Sequence, residues 1–379
     1  MELSTYFQKI TPNIIDNQEV GLISGDISAN ISDFPAWESA DIIIIGAYFS
    51  EKGKNANESI RTQFYSLSTP TEEMKIADLG DIIPRENALA QQELMALIIG
   101  KLMKAGKLVL LLCENKKMFF SQYLAYENIS ERVDYVQVSP RLSLSENTEL
   151  NDNSVNSYIL KQDFPKVENF TNLGFLKYWV KENELNKLLE TSHSQAIRCG
   201  ELNEKITETE PYLRTANMIS LDLSVVKHCD SPGSFSSSGG FSSSDICRIA
   251  RYAGCGTAVK SISFTGLDVE RDIHAQSAML CAMMMWYCVE GFYSRREENP
   301  TSHSPHFRKY SVKLNAEIEE IIFYHSLATQ RWWMEVPYPE KTKSKKAPKT
   351  ILIPCSSSDY ETAMAEEIPE RWWRKYNQL

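Results

Sequence analysis

The sequence predicts an α/β protein: a three-layer αβα, doubly wound, mainly parallel sheet followed by an appended C-terminal region. Three observations carry this. Short unbroken apolar runs recur, such as Ile42-Ile43-Ile44-Ile45 and Val109-Leu110-Leu111-Leu112, and runs of that kind belong to strands buried on both faces. Segments with helical periodicity separate them, which implies βαβ units with right-handed crossovers. From about Asn299 the alternation stops, and prolines and tryptophans recur instead.

Taken in order, 41–46 reads as a buried strand ending at Gly46, and 75–80 as a second. The stretch 88–105 repeats apolar residues at helical spacing, including Leu94, Ile98 and Leu102, and Gly106 supplies a stop. Strand 107–112, helix 117–127 and strand 133–138 continue the pattern. A strand is expected near 157–160, then helices at about 171–190 and 194–205. Strand 217–223 is followed by a helix at 242–253, which Ser242 or Ser243 would cap. A strand at 259–264 and a long helix at 273–290, ended by Gly291, complete the alternation. The expected division is therefore an α/β domain over 1–298 and an aromatic-rich extension over 299–379 packed on it. In that extension 319–324, 332–336 and 351–354 have strand character. Five lysines fall within 341–349, which reads as a solvated loop. Trp332-Trp333 and Trp372-Trp373 each follow an arginine. Such residues either seal the extension onto the main domain or anchor a protein partner or a homo-oligomer.

The chain has 379 residues, is 42% hydrophobic and carries a net charge of −10. That composition suits a large globular core. The acidic balance argues against non-specific nucleic-acid binding. No run approaches the roughly 20 apolar residues of a membrane helix. The start, Met1-Glu2-Leu3-Ser4, lacks the basic and apolar regions of a secretory signal, so a cytoplasmic protein is expected. Eight cysteines occur without any C-x-x-C pair, which reads as reduced, buried thiols rather than zinc ligands. The serine-rich stretch 235–244 lacks the G-K-[ST] of a phosphate loop. His228, Cys229 and Asp230 lie together, but neighbours on one strand end point different ways. His303 and His306 read as loop residues.

The stretch from Ser220 to Gly233 carries the most information. Ser220, Asp222, Pro232 and Gly233 fall without a gap on the pattern S-x-D-x-D-x-x-D-P with P-G beyond it. This resembles the second metal-binding strand of the arginase (ureohydrolase) superfamily. The resemblance extends, in order, over roughly residues 40–292. Gly46-Ala47-Tyr48-Phe49 and Ala56-Asn57-Glu58-Ser59-Ile60-Arg61 are similar to the family's first strand and its G-P-x-A-I-R loop. Ile76-Ala77-Asp78-Leu79-Gly80-Asp81 matches its D-x-G-D element, and Gly239-Gly240-Phe241 its later G-G-[LF]. Met285-Trp286-Tyr287-Cys288-Val289-Glu290-Gly291 is similar to the last helix of formimidoylglutamase-like members.

The resemblance implies a di-manganese centre at the carboxyl ends of the strands, where bound metal activates water to attack an amidine or guanidinium carbon. The ligand positions are largely replaced. Cys113-Glu114-Asn115-Lys116 stands for G-G-D-H, and Ser139-Pro140-Arg141-Leu142-Ser143 for D-A-H-x-D. Ser224 and Lys227 stand for the second and third carboxylates of the Asp222 strand. At E-V-N-P-x-x-D, Gly266 falls on the glutamate and Asp268 on the asparagine, while Asp272 is kept. Asp222 is the only retained ligand position. Divalent manganese needs several carboxylates or imidazoles, so the expectation is a pseudoenzyme with no catalytic residues, no metal and no cofactor. Glu114, Asn115, Lys116, Ser139, Arg141, Ser143, Asp222, Ser224, Lys227, Gly266 and Asp268 would form a vestigial pocket. Its cations Arg141, Lys227 and Lys116 would pair with Asp222, Glu114 and Asp268, with Lys227 or Arg141 the candidates for Asp222. Alternatively Arg141 and Lys227 would hold an anionic small molecule. The competing function is a manganese-dependent hydrolase of linear amidine or guanidino C–N bonds with a rebuilt site.

Overall fold

The computed structural model describes residues 2–11, 21–127, 129, 132–145, 149–164, 166–190, 193–300, 305–314, 320–339 and 349–379. Two short strands, β1 (Phe7–Gln8) and β2 (Ser28–Ala29), flank the helical turn α1 (Ile23–Asp26). The alternation begins with β3 (Ile42–Ala47), α2 (Glu51–Tyr65), β4 (Ile76–Ile82), α3 (Ala88–Lys104), β5 (Leu108–Cys113), α4 (Met118–Leu124) and β6 (Arg132–Val138). It continues through α5 (Val155–Leu160), β7 (Lys166–Phe175), α6 (Glu182–Leu189), β8 (Ser194–Arg198), α7 (Cys199–Glu204) and α8 (Glu210–Thr215). Then come β9 (Met218–Asp222), α9 (Ser243–Cys255), β10 (Ser261–Thr265) and α10 (Gln276–Tyr293). These strands form a 10-stranded sheet in the order β1-β4-β3-β5-β10-β9-β6-β7-β8, with β2 also on β4. Every pairing is parallel except β1 with β4.

Successive strand residues point to opposite faces, and the two cores show it. Ile42, Ile44, Leu108, Leu110 and Leu112 pack on one face with Phe64 of α2 and residues of α9 and α10. Ile43, Ile45, Val109 and Leu111 pack on the other with α3 and α4. The sheet is thus a middle layer between helices, as expected. Among the described residues no helix is long and apolar enough to cross a membrane.

Four expectations are corrected. The segment at 157–160 is helical, not a strand, because Val155 and Ile159 bury one face four residues apart. The segment expected as a helix from 171 begins inside β7. Its polar residues hid the strand pattern, yet their amide groups donate across the sheet: Asn169 to Asp134 at 2.6 Å and Asn172 to the Ser139 carbonyl at 3.1 Å. The segment at 194–205 divides into β8 and α7. Gly291 does not end its helix. A Cβ there would lie 2.3 Å from the Arg251 carbonyl, and one on Gly254 would lie 2.1 Å from the Cys288 carbonyl. Both glycines serve a backbone-to-backbone crossing of α9 and α10. Gly254→Ala should therefore force the helices apart and lower stability by about 1–3 kcal/mol. Urea unfolding checks it, and an unchanged midpoint would show that the crossing tolerates a methyl group.

Beyond α10, the strands β11 (Phe307–Lys313), β12 (Glu320–Ser326), β13 (Trp332–Pro337) and β14 (Thr350–Cys355) form an antiparallel sheet in that order. The helices α11 (Ser357–Met364) and α12 (Glu370–Gln378) follow it. Of these, β11 and both helices had no clear sequence signal. Glu319, His303 and the lysine run up to Lys346 lie outside the described residues. Trp332 stacks on His325 and Tyr360, and the Arg214 guanidinium lies 4.6 Å over Trp333. Trp372 is buried and donates from its indole to the Glu335 carbonyl, whereas Trp373 is 49% exposed. Arg331 pairs with Glu210 at 3.0 Å, and Arg374 donates to the Ser194 carbonyl at 3.0 Å. These contacts reach α8 and the start of β8, so this sheet sits toward the amino ends of the parallel strands.

Candidate functional site at the carboxyl ends of the strands

In parallel sheets ligands gather where strands end and loops begin. Here β5, β9 and β6 end at Cys113, Asp222 and Val138, and three side chains just beyond or on those ends meet. Lys116 Nζ lies 2.6 Å from Asp222 Oδ2. Ser139 Oγ donates to the same oxygen at 3.0 Å, and Lys116 also reaches Ser139 Oγ at 3.1 Å. The other carboxylate oxygen of Asp222 accepts from the Ser224 N–H at 2.9 Å. Asp222 is 1% exposed and Lys116 12%. Burial alone would raise the Asp222 pKa, but the Lys116 charge and the hydrogen bonds from Lys116 and Ser224 outweigh it and hold it below the usual carboxylate range.

Asp222 is therefore held by Lys116, and not by Lys227 or Arg141. The Arg141 side chain is exposed and lies 4.7 Å over the Trp179 ring. Lys227 makes no ion pair among the described residues. Its backbone instead joins the Phe241 carbonyl at 2.9 Å. Glu114 also departs from the expected pairing. Its carboxylate accepts from the Phe49 and Ser50 N–H groups and the Ser50 hydroxyl, so it anchors the amino end of α2, where a negative charge is favoured. Asp268 takes Arg271 as its cation, at 3.6 Å. Asp272 caps α10 by accepting from the Ser277 and Ala278 N–H groups. Asn115 Oδ1 and Ser143 Oγ are buried without partners among the described residues, and Ser143 takes a left-handed φ of 54°.

Gly266 has a φ of 93°, and a Cβ built on it would lie 2.7 Å from Asp222 Oδ1. A side chain here and Asp222 in its present place exclude each other. His228, Cys229 and Asp230 do not converge on a common point: Asp230 accepts from the Ser243 N–H at 2.7 Å and His228 faces Ser236. Among the described residues no group of three or more His, Cys, Asp or Glu is placed to hold a metal ion. The residue that sequence reasoning ranked last, Lys116, is the one the site is built on. Its signal was reach: it follows β5 by three residues, and a lysine stem spans from there over β10 to β9.

No protein-family model matches the chain, and no curated protein matches its sequence. Solved structures do match. The agmatine ureohydrolase of Thermoplasma volcanium superposes with a TM-score of 0.59 at 16% identity, over 73% of this chain and 96% of its own. Trypanosoma cruzi formiminoglutamase, solved with Mn2+, gives 0.61 at 16% identity, over 68% and 95%. The formimidoylglutamase of Bacillus subtilis gives 0.61 at 15% identity, over 68% and 90%. On this likeness the chain has the arginase-type α/β fold.

Proposed function

We propose that this chain is a catalytically silent offshoot of the arginase superfamily that acts as a cytoplasmic binding or scaffold protein. The observation that carries this reading is the Lys116–Asp222 ion pair at 2.6 Å. A lysine ammonium occupies the space beside the one retained ligand carboxylate. It neutralises that carboxylate and would repel a divalent cation. The residues present do not suit a two-manganese centre: Ser139, Arg141 and Ser143 stand for D-A-H-x-D, and Ser224 and Lys227 for the other carboxylates of the Asp222 strand. Glu114 is already engaged by three donors. Eight cysteines without a disulfide, seven of them buried, support a reducing compartment.

The test is metal content and turnover. The purified chain should show no manganese-dependent rise in melting temperature and no hydrolysis of formimidoylglutamate, agmatine or arginine. A resident metal at a hundredfold excess over Kd would stabilise by about 2.7 kcal/mol. About two ions per chain together with turnover would instead establish the hydrolase.

A further inference from the structure

A cavity lies at the opposite end of the sheet. It has a volume of about 770 Å³, within the range of small-molecule sites. It opens where α8 and the ends of α9 and α10 face β13 and the start of α11. In a βα unit those helix ends lead back to the amino ends of the strands, so this cleft is remote from Asp222. Five arginines line it: Arg214, Arg251, Arg295, Arg296 and Arg331, with Glu210 the one lining carboxylate.

The charges do not close. Glu210 is shared by Arg214 and Arg331, Glu290 holds Arg251 at 2.6 Å, and Glu298 stands 4.0 Å from Arg331. Among the described residues five guanidiniums thus meet three carboxylates, which leaves two positive charges. The unmatched pair is Arg295 and Arg296. Among the described residues Arg295 reaches only the Gly254 and Val259 carbonyls, at 2.8 and 3.4 Å, and stacks on Phe292. Burial pushes its pKa down to about 10, which is the direction taken by a cation that lacks a counter-ion. Arg296 is exposed and makes no ion pair among the described residues. On the facing wall stand Ser356 and Ser357, at the start of α11, where a capping box joins the Ser356 N–H to the Asp359 carboxylate and the Asp359 N–H to the Ser356 hydroxyl.

We propose that this cleft binds a small phosphorylated polyanion, one carrying pyrophosphate or two neighbouring phosphates. Two residual charges call for a ligand of at least two negative charges. Planar guanidinium forks match phosphate oxygens in pairs. The cavity has room for an organic moiety beside the phosphates. Such a ligand would bridge Arg251, Arg295 and Arg296 of the α/β part to Arg331 of the antiparallel sheet, so it should tighten the contact between them. This site is independent of the reading of the Asp222 end.

The test uses the full chain with pyrophosphate as probe, followed by calorimetric titration and thermal unfolding at near-physiological salt. Saturable binding and a raised melting temperature are expected, with orthophosphate weaker than pyrophosphate. Arg296→Glu should weaken pyrophosphate at least about tenfold, and Arg296→Ala should weaken it less. Arg198→Glu, on the exposed far end of β8, should leave affinity within about twofold. Circular dichroism establishes that each variant is folded, and among the described residues Arg296 makes no ion pair or hydrogen bond whose loss would unfold the chain. Absence of saturable pyrophosphate binding, equal affinity in both Arg296 variants and the parent, or tighter binding of citrate than of pyrophosphate would overturn the proposal.

Discussion

Arg61→Met should destabilise the fold by about 3–5 kcal/mol, a large share of the 5–15 kcal/mol that typically holds a domain together. Arg61 is 2% exposed and sits on α2 beneath the sheet. Its guanidinium grips Asp78 with Nε at 2.9 Å and Nη2 at 3.2 Å, and reaches Asp81 with Nη1 at 2.6 Å. Tyr65 and the Gly80 N–H complete Asp78, and Asn57 completes Asp81. Burial pushes the Asp81 pKa up, and Arg61 is the main influence pulling it back. Methionine keeps most of the volume but leaves two buried carboxylates facing each other. Arg61→Lys should recover little, because a single ammonium cannot span both acids in a fork. Urea unfolding of the three proteins decides it. A loss below about 1 kcal/mol in Arg61→Met would show that water or local rearrangement compensates the pair.

These same residues were visible beforehand as motif positions, and they show which part of the molecule is legible in sequence. Buried parallel strands such as β3 and β5 are continuous apolar runs, so their place was clear. Glycine-led turns and Asp78-Leu79-Gly80-Asp81 sit in fixed order, so the frame was clear too. The edge beyond β6 was not. β7 carries Glu168, Asn169, Thr171 and Asn172, whose partners lie on other strands, and a linear pattern does not contain those partners. The antiparallel sheet was legible where Trp332-Trp333 and Ile351-Leu352-Ile353 alternate or run on, but β11, with Arg308, Lys309 and Ser311, reads as loop.

The site shows the same limit at the scale of single side chains. Substitution of the ligand positions was evident from residue type alone. Which cation would replace the metal depends on direction and reach. Lys227 lies five residues from Asp222 in sequence, but the turn Leu223–Val225 carries it away toward Phe241. Arg141 was drawn off by an aromatic face. Lys116 comes from a different loop and meets Asp222 only in space. Gly266 follows from the same geometry: once Asp222 turns toward Lys116 and Ser139, the neighbouring strand end has no room for a Cβ.

That arrangement makes Lys116→Met the more damaging of two matched changes, with an expected loss of roughly 3 kcal/mol, against about 1–2 kcal/mol for Asp222→Asn. The asymmetry follows from burial. Methionine leaves a nearly inaccessible carboxylate with only Ser139 and Ser224 as donors. Asparagine leaves an ammonium that is 12% exposed and can turn toward water, while its own oxygen still accepts from Ser224. The pH dependence separates this from simple loss of packing. In the parent the Asp222 pKa is depressed in the fold, so its stabilisation is present above the unfolded value of about 3.9 and is lost as pH falls through the folded one. Without Lys116 burial dominates and the folded pKa moves above the unfolded value, so the penalty appears as pH rises and vanishes in acid. The gap between parent and Lys116→Met should therefore be widest near neutrality and close toward about pH 3. Lys116→Met combined with Asp222→Leu should regain most of the loss, since an apolar pair removes both charges together. Thermal or urea unfolding of the four proteins across that pH range measures it. A gap that stays constant with pH, or a double variant no better than Lys116→Met, would show that Lys116 contributes packing and not charge.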